Sequence, residues 1–385
     1  MTESSNAEAA APRTLEAWAL WQSMVADLTE VVKGDAETER ELLDGLQVLT
    51  RCVTLSTELN VDSDPEQPYF FLMDTAVRYV GGPNPDGEYH LCLIEGTRGY
   101  RITGTRGTST YLGFQVLAGQ GMEPRRQAAY LSDRVLQVAD DGTFSIVLSP
   151  EGAGLGDEVL AAADVIEVPA DAGAIVVRQY TSSPDEVLAD FDIEPLEDVG
   201  LPTPLTDELV AERITAAAWT IAKLVTLHKC PVMQEMVAEP NRFFAHAAAA
   251  LNSADTTPDN LYVLGTWRLD PGEALVIDVA PPDVRFWNLV VSNIWHECFD
   301  VRRRQISLTN DEAVANEDGT VRLVLAGEDP GVANWLDTSD RHRGFLIFRW
   351  LDDPAEPPTA CRVVPVGDVA GLPPLELPAP SPDTT

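Results

Sequence analysis

The sequence predicts a β-rich α+β fold: two duplicated antiparallel β-sandwich or jelly-roll-like modules joined by helical hairpins. Helical spacing of apolar residues is confined to an N-terminal and a central stretch. Short β-branched and aromatic runs cut by Gly, Pro and Asp fill most of the rest. Several motifs also recur in the same order at a nearly constant separation.

Residues 1–64 read as a disordered start followed by a helical hairpin. From Thr14, the expected N-cap, Leu15, Trp18, Leu20, Trp21, Met24, Leu28 and Val31 follow helical spacing, and a second run from Ala36 to Leu59 aligns Leu42, Leu46, Leu49 and Val53. Residues 65–200 form the first β module, 201–256 the connecting helices (Asp207 to Leu227, then Val232 to Leu251), and 257–371 the second β module. Residues 372–385 are a proline-rich tail with no evident means of packing a core.

The repeat ties the modules together. Asn84-Pro85-Asp86-Gly87-Glu88-Tyr89 recurs as Thr257-Pro258-Asp259-Asn260-Leu261-Tyr262, and Asp141-Gly142-Thr143 as Asp318-Gly319-Thr320. Leu131-Ser132-Asp133 matches Leu308-Thr309-Asn310, and Val177-Arg178 matches Phe348-Arg349. More loosely, Tyr111 to Val116 matches Arg285 to Val290. After each Asp-Gly-Thr, apolar residues alternate (Phe144, Ile146, Leu148; Val321, Leu323, Leu325), as expected of strands with one face in a core.

Composition narrows the function classes. With 62 acidic against 26 basic residues, a formal charge of −36 repels phosphate backbones and anionic lipid, so neither nucleic acid nor a membrane surface is an expected partner. Five dispersed cysteines, without CxxC, fit a reducing compartment, and no leader or membrane span is evident; a cytoplasmic location is the expectation. Nucleotide-binding, nucleophile-elbow and zinc-protease motifs are lacking, so neither a cofactor nor a transition-metal site is expected, while calcium on carboxylates stays open.

The second module carries a longer signature. Glu273-Ala274-Leu275-Val276-Ile277, Trp295-x-Glu297-x-x-Asp300, Ser307-Leu308, the stretch from Asp329-Pro330-Gly331 through Asn334-Trp335-Leu336-Asp337-Thr338, and Arg349-Trp350 together resemble the family of domain of unknown function 1214. The resemblance extends more weakly over Asn84-Pro85-Asp86 and Tyr100 to Gly104 in the first module. It implies a β-sandwich architecture and no settled activity. Thr309 stands where the family usually has Asn, and Ser339-Asp340-Arg341-His342 where it usually has Gly-His, which displaces His342 by one position.

What one copy has and the other lacks is where function is expected. Only the second module has Trp295-His296-Glu297 and Asn334 to Asp337. An imidazole beside a carboxylate can transfer protons, arginine can hold an anionic group, and tryptophan can cover a ring. On that basis Glu297, His296 and Asp337 are the candidate catalytic residues, and Trp295, Arg303, Arg304, Asn334 and Trp335 the candidate ligand contacts. On one regular strand His296 and Glu297 would point oppositely, so a bulge or turn is required for both to serve one site. Asn334, Asp337 and Trp335 could equally close a rigid loop. Arg178 and Arg349, shared by both modules, suit structural ion pairs, and His228-Lys229 suits charge at a helix C-terminus. The leading expectation is a cofactor-independent enzyme using acid/base chemistry on a small molecule. A carbohydrate- or small-ligand-binding protein and a homo-oligomeric assembly protein are the alternatives.

Overall fold

The computed structural model describes residues 12–119, 125–154, 156, 163–244, 256–352 and 354–379. The expectations for the first residues, for His246 and for the end of the tail lie outside them. Among the described residues no helix is long and apolar enough to cross a membrane.

Helices α1 (Arg13–Asp35) and α2 (Glu39–Thr57) form the N-terminal hairpin. Thr38 caps α2, its hydroxyl accepting the Glu41 amide at 3.2 Å, and a π turn (Glu58–Asp62) follows. Thr14 is not the cap of α1, because Pro12 holds that place. The Thr14 amide and hydroxyl instead donate to the Asp207 carboxylate at 3.1 and 2.8 Å, tying α1 to α3 (Asp207–Val225). Helix α4 (Pro231–Ala238) ends before the extended residues Arg242–Phe244, so the helix expected from Val232 is interrupted there; its remainder to Leu251 lies outside the described residues. Pro240 lacks an amide and biases Glu239 away from helix. Asn241 then takes a φ of 66° and clamps the Arg268 backbone with both ends of its side chain.

The first module holds β1 (Phe71–Leu72), β2 (Gly87–Leu93), β3 (Tyr100–Thr105), β4 (Tyr111–Ala118), β5 (Arg126–Ser132), β6 (Thr143–Pro150), β7 (Asp164–Val168), β8 (Ala172–Tyr180) and β9 (Asp190–Pro195). The second holds β10 (Arg242–Phe244), β11 (Asn260–Arg268), β12 (Glu273–Val279), β13 (Trp287–Asn293), β14 (Ser307–Thr309), β15 (Val321–Ala326), β16 (Trp335–Asp337), β17 (Arg343–Leu351) and β18 (Thr359–Pro365). Their sheets correspond strand for strand: β1-β2-β8-β4-β5 with β10-β11-β17-β13-β14, and β7-β6-β3-β9 with β16-β15-β12-β18. Even the exception to antiparallel pairing, β6 with β7, has its counterpart in β15 with β16. The duplication seen in the sequence is therefore a duplication of topology.

Register refines it. Arg178 lies opposite Tyr89 and Gly113, and Arg349 opposite Tyr262 and Asn288, as the matched motifs require. Gly113 is thus the counterpart of Asn288, so the loose match of Tyr111 with Arg285 was one residue out of step. Such a slip would turn every side chain of β4 to the wrong face. Asp141 and Asp318 sit in the same turn, each accepting the amide of the threonine two residues on at 3.0 Å.

Each module has its own sandwich core, with Phe144, Ile146 and Leu148 in the first and Val321, Leu323 and Leu325 in the second. A third cluster joins the helices to both five-stranded sheets, bringing Leu49, Ile221 and Val225 against Val176 and Ile347. Leu42, Leu46 and Val53 pack on the same cluster, so the expected helical faces are covered within the chain, at roughly 1.5–3 kcal/mol per large side chain buried. The start of the tail does pack. Leu375 is buried with Val276 and Val324, its amide donates to Asp278 at 2.7 Å, and Arg322 holds the carbonyls of Leu372 and Pro373.

The modules also grip each other reciprocally. Asp86, just before β2, accepts Ser307 of β14 at 2.9 Å, and Asp259, just before β11, accepts Tyr130 of β5 at 2.6 Å. Ser307 and Tyr130 are register counterparts, so the two bonds are related by the same pseudo-twofold that relates the modules.

Candidate functional site

Glu297, His296 and Trp295 lie in a turn after β13, not on a strand. Asn293 folds it: its side-chain oxygen accepts the backbone amides of Trp295 and Glu297 at 3.0 and 3.1 Å, and its side-chain nitrogen donates to the Glu297 carboxylate at 3.0 Å. His296 takes a φ of 57°, rare for a side chain other than glycine, and this turns it away from its neighbour. Its ring stacks on Phe345 at 3.8 Å, Nε2 finds no partner, and burial pushes its pKa down to about 3. Glu297, fully enclosed, forms an ion pair with Arg51 of α2. Trp295 donates to the Glu41 carbonyl at 2.9 Å and packs so closely on Gly45 that any Cβ there would come within 2.7 Å of its ring.

The two segments peculiar to the second module meet, though at one point. Arg304 pairs with Asp337 at 2.5 Å, and the Asp337 amide donates to the Gln305 carbonyl. Arg303 points to solvent beside Asp300 at 3.9 Å and does not join them. Asn334 is a staple: it accepts the Val314 amide and donates to the carbonyls of Val314 and Arg322, all within 2.9 Å. Trp335 donates to the Ala326 carbonyl at 3.0 Å and is half-buried against the cluster that holds Val276, Val324 and Ala326. Two open depressions, about 690 Å³ beside Gly104 and Phe144 and about 360 Å³ beside Asn241 and Pro378, are lined by none of the eight residues expected from sequence.

The turn 293–299 also borders a second constellation, which the sequence did not single out. Residues 73–86, between β1 and β2, cross the face of the second module's five-stranded sheet. The Gly82 amide donates to the His296 carbonyl at 2.8 Å, the Cys298 amide to the Tyr79 carbonyl at 3.0 Å, and Val80 bridges Glu297. Gly81 and Gly82 take φ values of 90° and 73°, which lets the crossing lie flat on Ile347. Beneath it Arg349 is 2% exposed and gives Nη2 to the Gly82 carbonyl at 2.8 Å. Its Nε and Nη1 have no hydrogen-bond partner among the described residues. The expected ion pair is absent among the described residues; instead the guanidinium lies over the Tyr262 ring at 5.9 Å.

Two carboxyls sense that charge. Burial pushes Asp74 up to about 8, against the pull of Arg78 and Arg349, and its side chain has no hydrogen-bond partner among the described residues. Burial also pushes Asp86 up to about 6, opposed by its bonds from Asn288 at 2.6 Å and Ser307 at 2.9 Å. Asn84 Nδ2 and Asn288 Oδ1 beside them are unsatisfied. Asp86 and Arg349 belong to repeated motifs, which from sequence marked them as fold residues; their convergence depends on how one module sits on the other.

Among the described residues, the other three histidines are structural or solvated. His228, buried against Trp295, bonds to Asp35 at 2.9 Å, and burial lowers its pKa. The charge expected at that helix end is therefore supplied by Lys229, also on Asp35. His342 lies beside Glu37 at 3.3 Å, and His90 beside Glu88 at 3.0 Å.

The chain is similar over 94% of its length to the crystal structure of an uncharacterized protein from Burkholderia cenocepacia, 99% of which is covered, at 28% identity and a TM-score of 0.85. The VPA0106 protein from Vibrio parahaemolyticus is 11% identical over 88% of this chain and all of that one, with a TM-score of 0.47. No curated protein matches. The model of the family described as protein of unknown function (DUF1214) matches residues 269–355, the part of the second module from β12 through β17 in which the longer signature lies.

Proposed function

We propose that this protein is a cofactor-independent enzyme that moves a proton on a small organic anion held between the modules, under residues 73–86. The observation that carries this reading is Arg349, a guanidinium buried with two donor nitrogens left without a partner among the described residues. A buried, unpaired cation is costly, and an anionic ligand would remove the cost. Asp74 is the proton-transfer group: it has no fixed partner, and burial brings its pKa up to about 8, near the range where acid/base catalysis is most effective. Asp86 orients the site through Asn288 and Ser307. Glu297 has both oxygens engaged, by Arg51 and Asn293, and serves as the rigid wall.

Incubating the protein with 2-oxo acids in D2O and following their C–H signals by NMR tests this. Exchange should be catalysed by the natural chain and lost in Asp74→Asn, while the ligand-induced rise in thermal midpoint persists in that variant. Binding without exchange would instead favour the small-ligand-binding alternative, and no binding would end both readings. A cytoplasmic setting is part of the proposal, supported by five cysteines that are all free. Leu15, Trp18 and Leu20 leave an exposed apolar stripe on α1 that self-association could use.

A further inference from the structure

The two four-stranded sheets share a frame but differ in what covers the face turned away from the sandwich core. In the second module the chain returns across that face after β18. Leu375 is buried against Val276 and Val324, Arg322 donates to the carbonyls of Leu372 and Pro373 at 2.7 and 2.9 Å, and Asp278 accepts the Leu375 amide at 2.7 Å. Asp278 and Arg322 lie opposite each other on β12 and β15, and their register counterparts on β3 and β6 are Thr103 and Ser145. Those two residues line the open depression of about 690 Å³, together with Thr105, Thr143 and Val138. The surface that clasps Leu372-Pro373-Pro374-Leu375 in one module therefore has an open groove as its counterpart in the other.

The first module has a similar segment, but it runs elsewhere. Gly200-Leu201-Pro202-Thr203-Pro204-Leu205 repeats Gly371-Leu372-Pro373-Pro374-Leu375 with one insertion. Thr203 gives its amide and hydroxyl to Glu66 at 3.3 and 2.6 Å, and Thr206 caps α3, so the connection to the helix draws this segment off the sheet. Leu201 and Leu205 are left 91% and 70% exposed. Arg101, the counterpart of Val276, keeps an enclosed Nε with no hydrogen-bond partner among the described residues, a donor of the kind Arg322 gives to the tail carbonyls. Along the edge, β9 presents Asp190, Asp192 and Glu194 opposite Thr105, Thr103 and Arg101, all three exposed. Strand β18 has Ala360 and Arg362 where β9 has Asp192 and Glu194, so the acidic edge belongs to the first module alone.

We propose that this groove docks an extended segment of another protein, with a Leu-Pro-Pro-Leu-like core flanked by arginine or lysine. The site is independent of the one around Arg349. A proline-rich extended chain makes no internal hydrogen bonds, so its carbonyls are free for Arg101 and for the hydroxyls of Thr103 and Ser145. Charge selects the occupant. The carboxylates of β9 attract a basic segment and repel the tail of a second copy, which carries Glu376 and is already held by its own Arg322.

The test is fluorescence anisotropy of a labelled Arg-Leu-Pro-Pro-Leu-Arg peptide titrated with the full chain at low salt, beside Glu-Leu-Pro-Pro-Leu-Glu and Arg-Leu-Gly-Gly-Leu-Arg. The basic proline peptide should bind about tenfold more tightly than the acidic one, and raising the salt should narrow that ratio. In a chain carrying Asp190→Asn, Asp192→Asn and Glu194→Gln, all at exposed positions, the ratio should fall to about twofold. Thr103→Tyr, which places a ring in the groove, should weaken the basic peptide about tenfold, and unchanged binding in that variant would put the peptide elsewhere and overturn the site. If the acidic peptide binds as well as the basic one, the basic partner is wrong. If the glycine peptide matches the proline one, charge alone holds it and the groove has no part. If none binds, the docking site is wrong. The peptide ratios are read on the natural chain, so a poorly folding variant leaves the answer intact.

Discussion

At equivalent places the two modules carry different residues, and the differences compensate. Gly113 leaves room for the Tyr111 and Tyr130 hydroxyls, which a Cβ there would meet at 2.3 and 2.8 Å, and Tyr130 is long enough to reach Asp259 unaided. In the second module the counterpart of Tyr130 is the short Ser307, and the counterpart of Gly113 is Asn288, which adds a second bond to Asp86. Likewise Ala118 ends β4 where Asn293 ends β13. Alanine can organise nothing beyond the strand, whereas Asn293 folds the turn that aims His296 and Glu297 apart. A common topology thus sets where the modules touch, and a few side-chain exchanges decide which side of the contact becomes polar and unsatisfied.

The turn peculiar to the second module gives the largest expected effect. Glu297→Gln leaves Arg51, a quarter exposed, without its carboxylate, and because water can reach that guanidinium the loss should fall below the roughly 3–5 kcal/mol of a fully buried pair, at about 2–3 kcal/mol. Chemical denaturation should report that loss. Adding Arg51→Met to Glu297→Gln should recover a substantial part of it, because no uncompensated charge remains. A Glu297→Gln chain as stable as the original would mean that the turn owes nothing to this pair.

The pH dependence of the boundary comes next. Burial holds the folded pKa of Asp74 near 8 against an ordinary value of 3.8, so the folded state holds the proton more tightly than the unfolded one. Its cost to stability is absent below about pH 4, grows as pH rises through the interval, and is complete above about pH 8. Asp74→Asn should therefore match the natural chain near pH 4 and exceed it increasingly toward pH 8.5, by a thermal midpoint difference of order 5 °C. A constant difference across that range would mean that Asp74 is not buried beside Arg349 as described.

The reciprocal clamps offer a more even comparison. Asp86→Ala removes two hydrogen bonds and leaves Asn288 bonded to Asn84 alone, whereas Asp259→Ala removes one and leaves Tyr130 still bonded to Tyr111. Losses of about 2–3 and 1–2 kcal/mol are expected in that order, from the desolvation penalty of unsatisfied partners. The reverse order in urea denaturation would show that the first module carries the tighter grip.

Which parts of this were legible in the sequence follows from the range of the interactions. The duplication and both β modules could be read because strand alternation and Asp-Gly turns are local signals. The helical faces were legible for the same reason. The end of α4 was missed because periodicity outweighed the single breaker Pro240. The candidate site was only partly legible. Trp295 to Glu297 do lie beside the crossing 73–86, but Arg349, Asp74 and Asp86 come from distant parts of the chain, and nothing local marks a strand arginine as unpartnered. Asn334 and Trp335, conspicuous in sequence, bond chiefly to neighbouring backbone, so conspicuous spacing there reports a rigid loop.

The smallest expected effect is the sharpest test of equivalence. Asp141 and Asp318 are solvent-exposed, and each accepts the hydroxyl and the amide of the threonine two residues on, at 2.7 and 3.0 Å in the first module and 2.6 and 3.0 Å in the second. These bonds, chiefly the one from the threonine hydroxyl, lower both carboxyl pKa values. A depressed folded pKa contributes stability that is present above the unfolded value and lost as pH falls through the folded one. Asp141→Ala and Asp318→Ala should each lower the thermal midpoint slightly at pH 7, and each difference should fade as the pH is lowered toward 2. If the modules are equivalent at this turn, the two curves of midpoint against pH should overlay. A clear separation would mean that one turn is held by its module's surroundings, since the bonds within the two turns are the same.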